Sequence, residues 1–252
     1  MTRRDAMTRR DKEMTLVEHL EELRQRLRYA LIGLLLGSAV GLVFVDPLLR
    51  LLLRPAGDKQ LTTLTVIEPF LVKMKVAFLF GIALSMPWIM YQLYAFLDPA
   101  LTHTERRRVV PLAILAGVLF AFGIAFGYIF VLPVSTRWLL AQASTQFNVL
   151  ITANAYISYV LLFLVIVGAT FETPLVILSL AALGIVSPQT LRKEWRIAYL
   201  IIAAIAVLGT PDWSPVTMIL VAIPMALLYE FSLVLCRIFI RPAVPQPVRT
   251  SS

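Results

Sequence analysis

Six apolar runs separated by short charged segments constrain this chain more than any other feature. A run of about 20 apolar residues in lipid must satisfy its own backbone, and an α-helix does that within one segment. The runs cover about residues 27–46, 70–97, 109–132, 156–183, 197–209 and 216–236. The chain is 59% hydrophobic and has a mean hydropathy of +0.82, well above the roughly 45–50% apolar usage of soluble domains. An all-α polytopic membrane protein of six transmembrane helices is therefore predicted. The fifth run has only about 13 residues where a full span needs about 20. The sixth is just long enough and carries Pro224 and Glu230. Both are expected to form short helices, which demand bilayer thinning or a covering partner. That favours a component of an assembly over a self-sufficient pore.

Orientation follows from the basic residues. An inside N-terminus leaves seventeen Lys and Arg in the cytoplasm, against six (Arg50, Arg54, Lys59, Lys73, Lys75 and Arg137) outside. The positive-inside rule then selects N-in and C-in, which agrees with six spans. The same clustering between apolar runs argues against nucleic acid as the reason for the net charge of +8. Residues 1–13 read as a flexible basic N-terminus, 14–240 as one transmembrane domain, and the proline-rich 241–252 as a disordered cytoplasmic tail. The first run is long enough to span and no small-residue cleavage site follows it, so no cleavable signal peptide is expected. The outer segments 47–69 and 133–155 are long enough to cap the bundle. Cys236 is the sole cysteine and His19 and His103 the sole histidines, so neither an internal disulfide nor a metal site nor a cofactor is expected.

Within the fourth run, "TFETP" (170–174) sets Glu172 two residues before Pro174. A carboxylate at the centre of a span costs roughly 2.5–3.5 kcal/mol on insertion scales, and a proline there releases a carbonyl that lipid cannot satisfy. This face is expected to meet protein, water or a ligand, with a hydrogen bond to another span as the purely structural alternative. Before the first run, "MTLVEHLEELRQRLR" has the form of an amphipathic helix. Thr15 and Glu18 form a possible capping box, Leu16, Leu20, Leu23 and Leu27 share one face, and Glu22 and Arg26 pair at i,i+4. It reads either as an interfacial anchor or as a recognition surface whose carboxylates meet a cationic partner. In "LDPALTHTERRRVVP", Thr102 and Glu105 make a second possible capping box, and Arg106 to Arg108 suit topology determinants.

These motifs carry a resemblance. "LVEHLEELRQRL", "PWIMYQLYAFLDPALTHTERRRVVP", "FETP", "SPQTLRKEWR" and "GTPD", in that order over about residues 14–240, resemble the TatC family, the core membrane subunits of twin-arginine protein translocases. The resemblance implies a non-enzymatic receptor and scaffold for exporting folded proteins across the bacterial cytoplasmic membrane, driven by the proton-motive force. It implies a signal-peptide site at Glu22, Arg24, Phe96 and Glu105, supported by His19, Pro55, Gln92 and Arg106. Glu172 matches the family's membrane-embedded acid and Asp212 the acid of the last outer turn. The implied partners are twin-arginine signal peptides, the lipid bilayer, and single-span TatA/TatB-type subunits at the fifth and sixth helices of a multimeric complex. The physics agrees, because paired guanidiniums want bidentate carboxylates. The rival reading is an ion-coupled secondary transporter of a cationic small molecule using Glu172. The lack of an internal repeat counts against it. An intramembrane enzyme finds no HExxH, GxSxG or Walker motif to build on.

Overall fold

The computed structural model describes residues 16–57, 61–96, 109–142, 150–182, 185–210, 212 and 214–239. Glu105, Arg106 and the inner capping box lie outside these residues, as does Thr15. The chain forms α1 (Leu16–Val43), α2 (Val45–Leu53), a 3-10 turn (Arg54–Ala56), α3 (Glu68–Phe96) and α4 (Val109–Phe126). A π turn (Gly127–Val131) then leads into α5 (Leu132–Ala141), followed by α6 (Ala153–Thr170), α7 (Thr173–Ala182), α8 (Pro188–Lys193), α9 (Trp195–Gly209) and α10 (Pro215–Phe239). Five helical stretches are long and apolar enough to cross a membrane, and α9 is a shorter apolar helix. Apolar side chains such as Leu35, Leu36, Val118, Leu208 and Leu227 are exposed around the bundle, as lipid contact requires.

Three sequence expectations need correction. The last helix is not short: α10 has 25 residues, about 37 Å at 1.5 Å per residue, and runs unbroken through Pro224. The fifth helix has 15 residues, about 22 Å, which is short for a bilayer. The outer segments are also more than loops. Residues 45–53 form α2 at one, and at the other the third span continues through the π turn into α5. Pro133 has no N–H to return to Ile129, and the chain widens into the π turn just before it. The fourth span, finally, is not one continuous helix but two.

Helix ends are where backbone groups need outside partners, and the sequence supplies them. Thr152 caps α6 by accepting from Ala155 N–H at 3.2 Å. Ser187 caps α8 through Thr190 N–H, with Pro188 in the first turn. Ser214 caps α10 through Thr217 N–H at 3.1 Å. The segments that follow α2 and α5 are pinned to each other. Thr62 N–H donates to Ile151 O and Ala153 N–H to Thr62 O, the ladder of an isolated parallel bridge. Buried Glu68 clasps the same junction, accepting from Leu64 N–H at 2.7 Å and Asn154 N–H at 2.9 Å. Lys75 reaches across to Asn154 Oδ1 and Ser158 Oγ at 2.6 and 2.7 Å. Capping of the bundle at this end is thus a set of specific polar bonds between α3 and α6.

Small residues set the helix contacts. α1 packs on α3, α3 on α4 and α6, and α10 on α7 and α9. Gly37 and Gly41 let α1 touch the backbone of α3. A Cβ on Gly37 would lie 2.8 Å from Gly81 O, and one on Gly41 2.5 Å from Ala77 O. Gly123 of α4 and Gly168 of α6 approach in the same manner, with a Cβ on Gly123 2.9 Å from Gly168 Cα. Where lipid tails are as apolar as leucine, close backbone packing drives association.

Two outcomes follow. Gly41→Val should lower the stability of the detergent-solubilised protein by about 1–3 kcal/mol, as overpacking does, whereas Ala39→Val on the exposed side of α1 should change little. Thermal unfolding of both variants reads this directly. Glu68→Ala leaves two N–H groups without an acceptor and should cost about 2–3 kcal/mol in equilibrium unfolding, with Glu68→Gln milder because its amide keeps one oxygen.

Candidate functional site

The α1–α3 seam carries its register to the N-terminal end of α1. Gly37 meets Gly81 and Gly41 meets Ala77, so three turns earlier on α1 the residue opposite Arg26 is Gln92, and a turn beyond that Glu22 comes level with Phe96. The side chains obey this. Arg26 Nη2 bonds Glu22 Oε1 at 3.2 Å, and Arg26 Nη1 reaches Gln92 Oε1 at 3.5 Å. The His19 ring stacks on Phe96 with centroids 4.3 Å apart and planes 19° apart. His19, Glu22 and Arg26 share one face of α1 because they are spaced by three and four residues. Arg24, two residues from Glu22, is exposed on the other side of the helix.

The cluster has an unused valence. Arg26 occupies one oxygen of Glu22, while Oε2 is buried and, among the described residues, has no hydrogen-bond partner. A buried acceptor without a donor costs about 1–3 kcal/mol, more when charged, so a donor brought to this oxygen would be stabilising. Beside it lie one aromatic stack and the carboxamide of buried Gln92. A guanidinium matches this set, because it can fork onto a carboxylate and lie flat against a ring. Sequence reading placed His19, Glu22, Gln92 and Phe96 in the site. It left Arg26 as a surface partner of Glu22, although the i,i+4 spacing marked it, and its bond across to α3 depends on the tertiary register.

The TFETP stretch resolves into two separate effects. Pro174 has no N–H for the Thr170 carbonyl, and the helix breaks at Phe171–Glu172 between α6 and α7. The Thr173 hydroxyl takes over, donating to Thr170 O at 2.6 Å. Thr170 in turn donates its own hydroxyl to Ile166 O at 2.9 Å. The proline is thus satisfied within five residues. Glu172 is not: it is 5% exposed, and among the described residues neither carboxylate oxygen has a hydrogen-bond partner. The expected alternative of a bond to another span is not what the structure contains. Tyr94 of α3 lies within electrostatic reach, and Phe171 beside it packs against Phe122 and Phe126 of α4.

Asp212 has a local task at the opposite end. Its Oδ2 accepts from Thr217 Oγ1 at 2.6 Å, and Ser214 Oγ donates to the same hydroxyl at 2.7 Å, bracing the turn into α10. Pro55 stands in the 3-10 turn after α2. Neither touches the His19–Glu22–Phe96 cluster. Glu230, which sequence reading noted as an intramembrane charge, ties three helices: Arg192 of α8 at 2.9 Å and the Tyr199 hydroxyl of α9 at 3.2 Å.

Comparison with known proteins bears on all of this. The family described as Sec-independent protein translocase protein (TatC) matches residues 18–224. A Sec-independent protein translocase protein TatC of Carboxydothermus hydrogenoformans is 37% identical over 237 residues, 92% of this chain and 96% of its own. One of Aquifex aeolicus is 34% identical, covering 90% of this chain and 97% of that one. A crystal structure of the twin-arginine translocase receptor TatC in DDM superposes with a TM-score of 0.76 at 33% identity, covering 86% of this chain and 99% of the other. The chain therefore belongs to the TatC family of Sec-independent protein translocase components and is a multi-pass membrane protein.

Proposed function

We propose that this chain receives twin-arginine signal peptides at the His19–Glu22–Gln92–Phe96 cluster and scaffolds the export of folded proteins across the bacterial cytoplasmic membrane. One observation carries the reading: among the described residues, Glu22 Oε2 is buried with no hydrogen-bond partner beside an aromatic stack. Glu105 is assigned the second arginine of the pair, so that each arginine meets one carboxylate, with Arg24 and Arg106 repelling misplaced cations. The termini lie in the cytoplasm, with six spans between them. The 15-residue α9 and the exposed apolar residues of α9 and α10, such as Leu200, Leu208 and Leu227, suit docking of TatA/TatB-type single-span subunits in a multimeric complex. Glu172 faces such a partner. The chain itself acts as receptor and scaffold rather than as a catalyst, and the proton-motive force supplies the energy. The transporter alternative draws no support, since the relatives described above are protein translocase components.

Photocrosslinking in membranes tests the receptor site, with the probe beside the arginine pair of a signal peptide. Glu22→Gln should lower the crosslink about tenfold or more, the loss of one charge-assisted bond of about 1.5–3 kcal/mol, and a Lys-Lys peptide should fall similarly. Equal signals for Arg-Arg and Lys-Lys, in wild type and variant alike, would remove the cluster from signal recognition. For Glu172, replacement by Leu should raise the unfolding free energy of the isolated chain by about 1–3 kcal/mol, because an unpaired buried acceptor is gone. Export should fall in the same variant. A neutral or destabilising effect in detergent would show that the carboxylate has a partner within its own chain.

A further inference from the structure

Three basic residues at the α2–α5 end of the bundle stand apart from the polar bonds that hold it. Lys73 is paired with Asp46 at 2.8 Å, an ammonium that keeps the Asp46 carboxyl below the ordinary carboxylate range. Lys75 is spent on Asn154 and Ser158. Arg50, Arg54 and Arg137 are exposed and, among the described residues, take part in no ion pair. Arg54 and Arg137 line one cavity of about 830 Å³, which Tyr128 and Pro133 also border. A second cavity of about 600 Å³ shares Arg54 and adds Arg50. The positive-inside rule gives no reason to keep cations at this end, so they need another.

The reason lies beneath the mouth. A third cavity of about 290 Å³ meets the first at Tyr128 and Ile129 and the second at Leu51 and Phe80, and its walls are apolar side chains of α2, α3, α4 and α6. It runs between α3 and α4 from Val76 to Ala83, about 10 Å of helix, toward the middle of the bundle. Tyr128 holds its roof by donating to Leu51 O at 2.7 Å. The whole is a cationic mouth opening into an apolar slot that lies along the membrane-crossing helices. A soluble phosphate would gain nothing from the slot, and a helix of about 10 Å diameter cannot enter it.

We propose that this groove is a binding site for one anionic phospholipid, its phosphate held by Arg54 and Arg137 and the upper part of one acyl chain seated in the slot between α3 and α4. Arginine is suited to phosphate because its donors form a fork, and anionic lipid attracts each nearby Arg or Lys by about 1 kcal/mol. The lipid joins α2, the π turn and α5 across a seam where Tyr128–Leu51 is a direct polar bond, so bound lipid stabilises this end of the bundle.

The full chain, purified and delipidated in non-ionic detergent, is titrated with dioleoyl phosphatidylglycerol, with dioleoyl phosphatidylcholine, and with glycerol 3-phosphate. Bound lipid is counted by native mass spectrometry and thermal unfolding is followed in parallel. Phosphatidylglycerol should bind in a one-to-one complex and raise the unfolding temperature, and the other two should do neither. Arg54→Gln with Arg137→Gln should weaken it about thirtyfold, two charges at about 1 kcal/mol each. Ala121→Phe, which fills the slot, should weaken it with the arginines intact, and Arg237→Gln at the far end should bind as wild type. The arginine variant should unfold without lipid at the wild-type temperature, so its loss is one of binding. Equal retention of the two lipids, unchanged binding in the double arginine variant, or an equal loss in Arg237→Gln would each overturn the site. Glycerol 3-phosphate bound as tightly as the lipid would replace it with a soluble-anion site.

Discussion

The constraint behind this structure is that a polar group taken out of water must find its partner inside the protein. The fourth span shows the rule at its sharpest. Pro174 withdraws a donor from the Thr170 carbonyl, the helix breaks, and the Thr173 hydroxyl fills the vacancy at 2.6 Å. Glu68 and Lys75 follow the same rule at one end: Glu68 binds Leu64 on its own side and Asn154 across the α3–α6 junction, and Lys75 binds Asn154 and Ser158 across it. Arg192 and Tyr199 meet it for Glu230. Against this background the exceptions are informative. Among the described residues, Glu22 Oε2, both oxygens of Glu172, Asp212 Oδ1 and Thr136 Oγ1 are buried without a hydrogen-bond partner, and Glu22, Glu172 and Asp212 are positions that the family resemblance singles out.

The glycine seam of α1 and α3 converts packing into function. Contact at Gly37–Gly81 and Gly41–Ala77 allows no slippage, because a Cβ on either α1 glycine would strike backbone. A fixed register at that depth fixes it three and four turns away. Arg26 then lies against Gln92, and His19 stacks on Phe96. The His19–Glu22–Gln92–Phe96 cluster is thus made by two helices whose alignment is decided some 15 Å from it, a distance given by about ten residues at 1.5 Å each. Its rigidity matters, since a donor-acceptor site gains selectivity when its groups are held before the ligand arrives.

The charges divide by use rather than by sign. Lys73 and Lys75 hold helices together; among the described residues, Arg50, Arg54 and Arg137 form no ion pair. Sequence alone counts all of them as the minority of cations on the disfavoured side. Their side-chain partners separate structural lysines from arginines without an ion pair among the described residues, and an apolar slot adjoins the cavity that Arg54 and Arg137 line.

The helical class and the apolar segments were legible in the sequence because hydropathy over twenty residues needs no partner to be read. The strain at TFETP was legible too, since a carboxylate and a proline conflict with hydrocarbon wherever they pack. So were Glu22, Phe96 and Gln92, through resemblance. Other features depended on contacts between segments distant in the chain. The GxxxGxxxG spacing of Gly33, Gly37 and Gly41 was visible, but its partner face on α3 was not. The length of α10 escaped a hydropathy count because its ends are set by the Ser214 cap and by Arg237 in its last turn. Sequence reading counted Lys75 only for topology and did not single out Glu68, because their partners Leu64, Asn154 and Ser158 are brought to them by the fold. Sequence by itself determined which segments must leave water; the tertiary structure decided which polar groups meet there, because a hydrogen bond requires two groups within about 3 Å and only the packed helices bring them that close.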